Sequence, residues 1–478
     1  MDYLKDLRTW IAKLEEIGAL RRIKGAHWDL EIGTITELIR ERPNPPGLLF
    51  EQIPGYPPNY RVYVDLRGNF EKQAAYLGIP NPGSYMGFVL AMKERQKSKV
   101  QLIPPKIVKE APCFENVYTG KDINLFKFPA PKWHELDGGR YIGTGDICIL
   151  RDPDSGYVNL GIYRIVIHDE NTLGVYISPG KHGRIILEKY HSKGKNCPVA
   201  VTFGHDVKTY EAASFSSPFG SSEYDYAGGL LGGPVEVFEG EYTKLPIPVS
   251  AEIVVEGEIP VGELREEGPF AEGGGYYAHG KQPEPIIRVK RLLHRNDPII
   301  YGHPHLISEA IYCRDPWPRR DAQIWDEMER AGVPDIRGVW RLGSRWVVIS
   351  IKQRYPGHAK QALMAAAASH TGAYHNTHFV VVDEDIDPTN VHEVLWAMGN
   401  RMSPETDVEI IKRCWSTPLD SMIRKGTPKE ACFQSRTLLD ACKPYEWIKE
   451  FPEDYRLRKE LREEAMKKWK DEIIGKNG

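Results

Sequence analysis

Long apolar runs, closely paired cysteines and an excess of charge of either sign are all absent from this 478-residue chain. No stretch approaches the roughly 18 apolar residues of a transmembrane helix, and the N-terminus lacks the basic-then-apolar layout of a secretory signal. The formal net charge of −3 gives no electrostatic reason to expect nucleic acid or an anionic membrane as a partner. These absences predict a cytoplasmic protein that binds neither nucleic acid nor a membrane.

The seven cysteines are an odd number and never occur as Cys-x-x-Cys. That pattern indicates reduced thiols rather than a disulfide framework or a zinc site. Internal repeats and low-complexity tracts are absent as well. Hydrophobic residues at 41% and charged residues at 27% are ordinary for a globular protein, and the length predicts about three domains.

Changes in hydrophobic pattern along the chain predict an α/β (α+β) fold. Residues 1–115 open with an amphipathic helix and continue with short strands, which indicates an N-terminal α/β domain. Residues 116–312 contain β-type runs such as 199–203 between Gly- and Pro-rich turns, which is typical of a β-barrel or a β-sandwich. Helix and strand alternate again over 313–450, so we expect a C-terminal α/β domain; the family resemblance given below implies that it serves in oligomerisation.

The last segment, 451–478, is predicted to form a C-terminal helix. Pro452 suits a first helical position, and Gly475 can end the helix. The apolar residues form one narrow stripe at four-residue spacing, namely Leu457, Leu461, Ala465, Trp469 and Ile473. Such a stripe fits either a helix that packs on its own domain or an arm that docks on a neighbouring subunit.

Two carboxylates flank a Gly-Pro turn in the segment Glu267-Gly268-Pro269-Phe270-Ala271-Glu272. Proline fixes its own φ and glycine permits tight curvature, so the two side chains can face one site. Repulsion and burial can then separate their pKa values, as general acid/base chemistry requires. Taken alone, the segment also fits an ordinary solvated loop.

A second set of polar residues lies upstream of the paired carboxylates. Asn159 and Arg164 lie close in sequence, and Arg164 could hold a substrate carboxylate or pair with a glutamate. His182 and Glu223 add a nitrogen and an oxygen ligand to the amide, a set suited to Mn²⁺ or Mg²⁺ bound with phosphate. Because Asn159 and Arg164 differ by five positions, one regular strand would turn them to opposite faces. A bulge or strand end between them is therefore required.

Two further motifs are weaker. Gly273-Gly274-Gly275 has no strand-turn-helix context and is not a dinucleotide-binding fingerprint. His303 and His305 look like a metal pair, but they have no third ligand nearby in sequence, so we interpret them as pocket lining.

Together these residues resemble the UbiD family of prenyl-FMN-dependent decarboxylases. The motifs that match are Asn159-x4-Arg164, His182, Ser222-Glu223-Tyr224 followed by Ala227-Gly228-Gly229, and the Glu267–Glu272 segment. They match in order and spacing over roughly 150–290, and the flanks, including 381–387, look like the rest of the family. The resemblance implies that the central domain is a split β-barrel that binds prenylated FMN.

The resemblance also implies a role for each matching residue. Asn159, His182 and Glu223 would bind Mn²⁺ (or Mg²⁺) that holds the cofactor phosphate, with Arg164 and Lys181 as further cofactor contacts. Ala213 and Ser214 stand where the family contacts K⁺ and phosphate. Arg164, Glu267 and Glu272 would form the catalytic Glu-Arg-Glu network, with Glu272 as proton donor. Family members often carry a phosphate-contacting lysine where this chain has Thr377-His378.

The function implied is reversible, non-oxidative decarboxylation of an aromatic, heteroaromatic or α,β-unsaturated carboxylic acid to its product and CO₂. A flavin prenyltransferase would supply the cofactor, and the enzyme would be a homo-oligomer, either a dimer or a hexamer. Two alternatives stay open: a non-catalytic UbiD-like subunit of a multisubunit carboxylase, and an FMN-dependent reductase with the same barrel. The substrate itself is not specified by any motif.

Overall fold

The computed structural model describes ten ranges of the chain: 2–65, 68–97, 101–214, 217–278, 280–312, 318–343, 345–373, 375–428, 431–457 and 459–474. The α-helices within these ranges, α1 to α13 in chain order, are Leu7–Glu16, Glu31–Arg40, Phe70–Leu77, Tyr85–Lys97, His182–Ser192, Val207–Ala213, Glu223–Leu231, Ile307–Tyr312, Pro318–Arg330, His358–Ala368, His370–Ala373, Val391–Arg401 and Lys459–Ile474.

The strands in the same ranges, β1 to β22, are Leu20–Lys24, Gly47–Glu51, Arg61–Val64, Lys106–Ile107, Asn116–Thr119, Arg140–Gly143, Ile147–Arg151, Val158–Gly161, Arg164–Asp169, Thr172–Tyr176, Cys197–Phe203, Glu236–Glu239, Pro246–Pro248, Ile253–Ile259, Leu264–Glu267, Gln282–His294, Ile299–Gly302, Ile336–Leu342, Trp346–Ile351, His378–Asp383, Val408–Trp415 and Phe433–Ala441.

The central sheet dominates the architecture and carries the candidate site. Its ten strands run β6-β9-β10-β16-β14-β11-β7-β8, with β5 and β15 paired to β16, and the sheet curls into a half-barrel. The pairing is antiparallel throughout, as in β11 against β14 and β9 against β10. Alternate residues of these strands fill one large apolar cluster inside the curl. The predicted α/β (α+β) class with a central split barrel is confirmed.

The N-terminal sheet, β1-β2-β3-β17, takes its last strand from the centre of the chain, because Ile299–Gly302 pairs in parallel with Arg61–Val64. The predicted amphipathic helix is α1, which buries Leu7, Ile11 and Leu14 and is capped by Asp6. A small three-stranded sheet, β13-β12-β4, lies beside the central one.

The C-terminal sheet runs β18-β19-β20-β22-β21. Phe88, Val89 and Met92 of α4 pack in the same apolar cluster as this sheet and α9. Hydrophobic packing therefore joins the first and last thirds of the chain, and the boundaries at 115 and 312 stay predictions about domain limits.

The C-terminal helix differs from the prediction at its start. Helix α13 begins at Lys459, not at Pro452, and the backbone before it is irregular. Asp454 accepts hydrogen bonds from the backbone N–H and the guanidinium of Arg456, which also binds Asp385. These local side-chain bonds compete with helix formation and explain the later start.

None of the helices in the described ranges combines the length and apolarity that crossing a bilayer requires. The six cysteines in those ranges carry no disulfide, and five of the six are buried. The cytoplasmic location stays a prediction.

Candidate active site

A buried ion-pair network joins two distant parts of the central sheet. The guanidinium of Arg164 binds Glu267 through two parallel hydrogen bonds, Nε to Oε1 at 2.9 Å and Nη2 to Oε2 at 2.7 Å. Its remaining terminal nitrogen, Nη1, donates to Oε1 of Glu272. Both glutamates thus contact one guanidinium, as the spacing across the Gly-Pro turn predicted.

The local backbone explains this arrangement. Arg164 is the first residue of β9 and Glu267 the last of β15, so both project from strand ends. Gly268, at φ +88°, turns the chain back, and the amide of Gly138 donates to the carbonyl of Pro269. A Cβ at Gly138 would lie 2.0 Å from the carbonyl oxygen of Gly268, so the approach needs glycine.

Burial sets the electrostatics of the network. Glu272 is 6% exposed, and desolvation, aided by the charge of Glu267, raises its pKa to about 7 although Arg164 opposes this. For Arg164, the charges of Glu272 and Glu267 outweigh burial and raise the pKa further above its already high value. The site therefore holds a permanent cation beside a carboxyl that exchanges its proton near neutral pH.

Three aromatic residues complete the network, and two of them lie outside the sequence motifs. Tyr141, from β6, donates its hydroxyl to Oε1 of Glu267 at 2.8 Å. The guanidinium of Arg164 lies 4.3 Å from the ring centre of Tyr176 and 5.4 Å from that of Phe270. Tyr141 and Tyr176 look like ordinary core residues of β-strands in the sequence, whereas Phe270 stood inside the carboxylate motif.

The predicted metal ligands converge on the hydroxyl of Tyr157. That oxygen lies 3.1 and 3.3 Å from the carboxylate oxygens of Glu223, 3.4 Å from Nδ2 of Asn159 and 3.4 Å from Nδ1 of His182. Asn159 is in β8, which ends at Gly161, and Arg164 begins β9. A strand end thus separates Asn159 from Arg164. The alternation of side chains along a single strand therefore does not force these two residues to opposite faces of the sheet.

The three predicted ligands also fit a divalent cation chemically. Oδ1 of Asn159 is buried and has no hydrogen-bond partner in the described part of the chain. Burial raises the pKa of Glu223, although Ser217 and the amide of Leu160 donate to its carboxylate. A cation would satisfy the amide oxygen and stabilise the charged carboxylate. Within the described residues, no group of three or more His, Cys, Asp and Glu offers a competing site.

The three remaining predicted cofactor contacts lie at the start of α5 and the end of α6. Lys181 immediately precedes α5, whose first residue is His182. Desolvation and the charge of Arg320 lower the pKa of the Lys181 ammonium group to about 8, although much of the residue is exposed. Ala213 ends α6, and Ser214 follows it. The hydroxyl of Ser214 donates to the carbonyl of Glu211 and accepts from Arg319, so both of these hydrogen bonds go to residues outside the metal-ligand set.

Of the two histidines interpreted as pocket lining, the structure places His305 beside the network. The backbone amide of His303 donates to the hydroxyl of Thr144. The imidazole of His305 lies against Gly273, where a Cβ would be 3.3 Å from Nδ1, and its ring centre is 6.4 Å from that of Phe270. His305 therefore contacts the residue that follows Glu272.

Comparison with known proteins identifies the family. The sequence profile of the UbiD 3-octaprenyl-4-hydroxybenzoate carboxy-lyase Rift-related domain matches residues 106–305, and that of the family's C-terminal domain matches 318–441. The chain is 32% identical to a phenolic acid decarboxylase of Bacillus subtilis over 446 residues, covering 87% of this chain and 89% of that protein. It is also 32% identical to a pyrrole-2-carboxylic acid decarboxylase of Pseudomonas aeruginosa, covering 79% of each.

Solved structures agree with the sequence relatives. The vanillic acid decarboxylase of Sedimentibacter hydroxybenzoicus in its closed form is 29% identical, with a TM-score of 0.81 over 97% of this chain and 98% of that one. An evolved dimeric form of the UbiD-class enzyme HmfF from Pelotomaculum thermopropionicum in complex with prFMN is 28% identical, with a TM-score of 0.80 over 96% and 98%. The chain therefore belongs to the UbiD family of carboxy-lyases.

Proposed function

We propose that this enzyme decarboxylates an aromatic or heteroaromatic carboxylic acid and depends on prenylated FMN. The observation that carries the proposal is the buried Glu267-Arg164-Glu272 network, in which one carboxyl has a pKa near neutrality. Relatives named for phenolic and pyrrole-2-carboxylic acids support a ring-bearing substrate over a simple unsaturated acid.

The residues around Tyr157 suit the phosphate end of such a cofactor. Asn159, His182 and Glu223 would hold Mn²⁺ or Mg²⁺ against the phosphate, and Lys181 would add a further positive charge. When bound, the prenylated flavin supplies the electrophilic centre that takes up the electron pair left as CO₂ departs. A flavin without the prenyl group supplies no such centre, which is why a prenyltransferase is the partner we propose.

Arg164 orients the substrate carboxylate. Glu267, which accepts from the hydroxyl of Tyr141, fixes one edge of the guanidinium, so its Nη1 nitrogen keeps a constant position and direction. With Glu272 protonated, the charges of Arg164 and Glu267 cancel, and an incoming carboxylate can bind at Nη1 without meeting a second anion. The raised pKa of Glu272 therefore serves substrate binding as well as proton transfer.

Glu272 returns the proton. Once the carbon–carbon bond to CO₂ has broken, the ring carbon requires one proton to replace the lost group. Glu272 is almost fully buried, and its pKa of about 7 keeps a large fraction protonated in neutral solution. Reaction in the opposite direction uses the same carboxylate as the base, by microscopic reversibility.

The test combines two measurements on enzyme co-expressed with a flavin prenyltransferase. Mass spectrometry of the released flavin should show the prenylated form, and CO₂ should be released from members of a panel of phenolic, benzoic and heteroaromatic acids. Unmodified FMN together with reduction of a substrate would favour the reductase alternative. Prenylated FMN with no acid consumed, unless a second subunit is added, would favour the non-catalytic subunit.

We also propose that α13 is an assembly arm of a homo-oligomer. Leu461, Trp469 and Ile473 of the predicted stripe are 55%, 49% and 56% exposed on the single chain. The helix is kinked at Trp469, and apolar side chains that the described residues leave exposed gain most by packing on a second copy.

Removing this arm should lower the oligomeric state. Deletion of residues 459–478 is expected to shift the molar mass measured by light scattering toward the monomer, because the stripe loses its contacts. Leu461→Gln, Trp469→Gln and Ile473→Gln combined should act in the same direction, whereas Lys468→Gln, on the same helix, should not. An unchanged molar mass for both the deletion and the triple variant would exclude the arm.

A further inference from the structure

An aromatic side chain outside every sequence motif lies directly against the predicted metal ligands. The ring centre of Phe219 is 5.2 Å from that of His182 and 5.3 Å from that of Tyr157, and both pairs meet edge to face. The ammonium group of Lys189 lies 5.2 Å from the centre of the same ring. Phe219 is nevertheless 41% exposed, whereas Tyr157 is 8% exposed. The ring of Phe219 therefore lies between the ligand set and the solvent.

A tight turn between α6 and α7 fixes the position of this ring. The amide of Ser221 donates to the carbonyl of Pro218 at 3.1 Å, which makes Phe219 and Gly220 the two central residues of a β-turn. Gly220 has φ +90°, a value that a type II turn requires of its third residue and that glycine adopts without strain. The backbone thus holds Phe219 in one direction.

The same turn contacts two of the three predicted metal ligands. The hydroxyl of Ser217, just before the turn, donates to Oε1 of Glu223 at 2.7 Å. Phe219, within the turn, packs on the ring of His182. Movement of this short segment therefore removes a contact from both ligands together.

The cation over the ring is also held in place. Lys189 follows His182 by seven residues on α5, which is about two helical turns, so both side chains lie on one face of the helix. Its Nζ binds both carboxylate oxygens of Asp152, at 2.9 and 3.0 Å. Asp152 is 2% exposed and accepts from the hydroxyl of Ser155 as well. Phe219 is thus surrounded by fixed partners.

We propose that Phe219 is a positioning residue that covers the metal-binding end of the site and limits exchange of the bound ion with water. The inference rests on the proposed function in taking Asn159, His182 and Glu223 as the ligands of a divalent cation. Water competes with protein oxygen and nitrogen atoms for such ions. A ring packed on His182 keeps water from that side, so the turn has to open before an ion can pass.

Affinity and exchange rate together distinguish a cover from other roles of the ring. A cover has to open for entry as well as for exit, so its removal speeds both and changes the dissociation constant much less than either rate. A ring that only orients the imidazole of His182 would weaken binding as much as it speeds release. A ring that only stabilises the fold would change the free energy of unfolding and leave exchange unaltered.

The experiment measures how fast Mn²⁺ leaves the flavin-loaded enzyme. Release into an excess of a chelating indicator dye gives the rate, and equilibrium dialysis with elemental analysis gives the dissociation constant. Phe219→Ala should release Mn²⁺ about tenfold faster, because two edge-to-face ring contacts are together worth roughly that factor. Lys189→Gln keeps a donor for Asp152 but loses the charge over the ring, and should speed release roughly two- to fivefold. Phe114→Ala is the matched control, since Phe114 is 40% exposed and packs on the ring of Phe238 at 4.8 Å.

Gly220→Ala tests the turn without changing the ring. Apart from its chain neighbours, no described atom lies within 4 Å of a Cβ at this position, so the positive φ is the source of strain. An L residue with positive φ is destabilised enough to open the turn and speed release about fivefold or more. Gly55→Ala carries the same kind of strain, at φ +84° and with equally open space around its Cβ, and should leave the rate unchanged.

The outcomes decide the question in each case. Unchanged release in both Phe219→Ala and Gly220→Ala would overturn the inference, and so would a dissociation constant that rises as much as the release rate. Equal acceleration in the two control variants, or flavin-loaded enzyme that contains no divalent ion, would overturn it as well. Should Phe219→Ala fail to fold, Gly220→Ala and Lys189→Gln decide. If release accelerates as expected but no acid yields CO₂, the cover stands and the decarboxylase function falls; CO₂ release with unaltered exchange rejects the cover alone.

Discussion

Glu272→Gln should lower turnover by about two orders of magnitude or more while flavin remains bound. The substitution keeps the size of the side chain and its contact with Arg164, but it removes the proton that the ring carbon must receive. A positioned general acid contributes roughly 10²- to 10⁴-fold to a rate, which sets the expected loss. Steady-state CO₂ release and the flavin absorbance of the purified variant provide the two measurements.

Proton exchange isolates the role of Glu272 further. Exchange of the product's ring hydrogen with deuterated solvent needs the acid but no carboxylate on the substrate. Glu272→Gln should abolish this exchange, whereas Arg164→Ala, which loses carboxylate orientation, should retain part of it. Glu266→Gln is the matched control, because Glu266 is exposed and immediately precedes the network. Near-normal decarboxylation and exchange in Glu272→Gln would exclude the assigned role.

Ionisation of Glu272 should also determine how the decarboxylation rate of the wild type depends on pH. Burial raises the pKa of Glu272 to about 7, so the protonated donor predominates below that value. As pH rises through it, the carboxyl loses its proton, and the rate should fall about tenfold per unit. A rate that instead rose with pH across this range would contradict a protonated Glu272 in the reacting enzyme.

Glu223→Gln and His182→Ala should purify with little flavin. Each removes one of the three proposed metal ligands, and even residues behind a ligand can change metal affinity about 10- to 100-fold. Glutamine at position 223 keeps one oxygen that can accept from the amide of Leu160, and its amide nitrogen can donate to the hydroxyl of Ser217, so folding should be preserved. Flavin and metal contents are measured by absorbance and by elemental analysis of the same sample.

A buried glutamate outside the site controls for folding. Glu256, on β14, accepts hydrogen bonds from Thr243 and Arg291. The Glu256→Gln variant should retain flavin at the wild-type level. Full flavin occupancy in Glu223→Gln or His182→Ala, with no divalent metal detected, would show that the ligand assignment is wrong. Loss of flavin in all three variants would point to stability instead.

The sequence alone pointed to decarboxylase chemistry because the residues that indicate it lie in short, recognisable motifs. A Gly-Pro turn between Glu267 and Glu272 restricts the backbone locally, and the order of Asn159, His182 and Glu223 matches the family without any knowledge of distance. The family, the fold class and the carboxy-lyase activity followed and are confirmed. The roles of the individual residues remain proposals that the variants above test.

Tertiary structure decided what depends on burial and on pairing between remote segments. Tyr141 reaches Glu267 from 126 positions away, and Arg345 reaches Gly274 from the C-terminal sheet; no local pattern predicts either contact. The pKa of Glu272 depends on desolvation by the whole fold, and the late start of α13 depends on Arg456 binding Asp385. Short-range geometry is encoded locally, whereas solvent exclusion and long-range charge pairing exist only once the chain has packed.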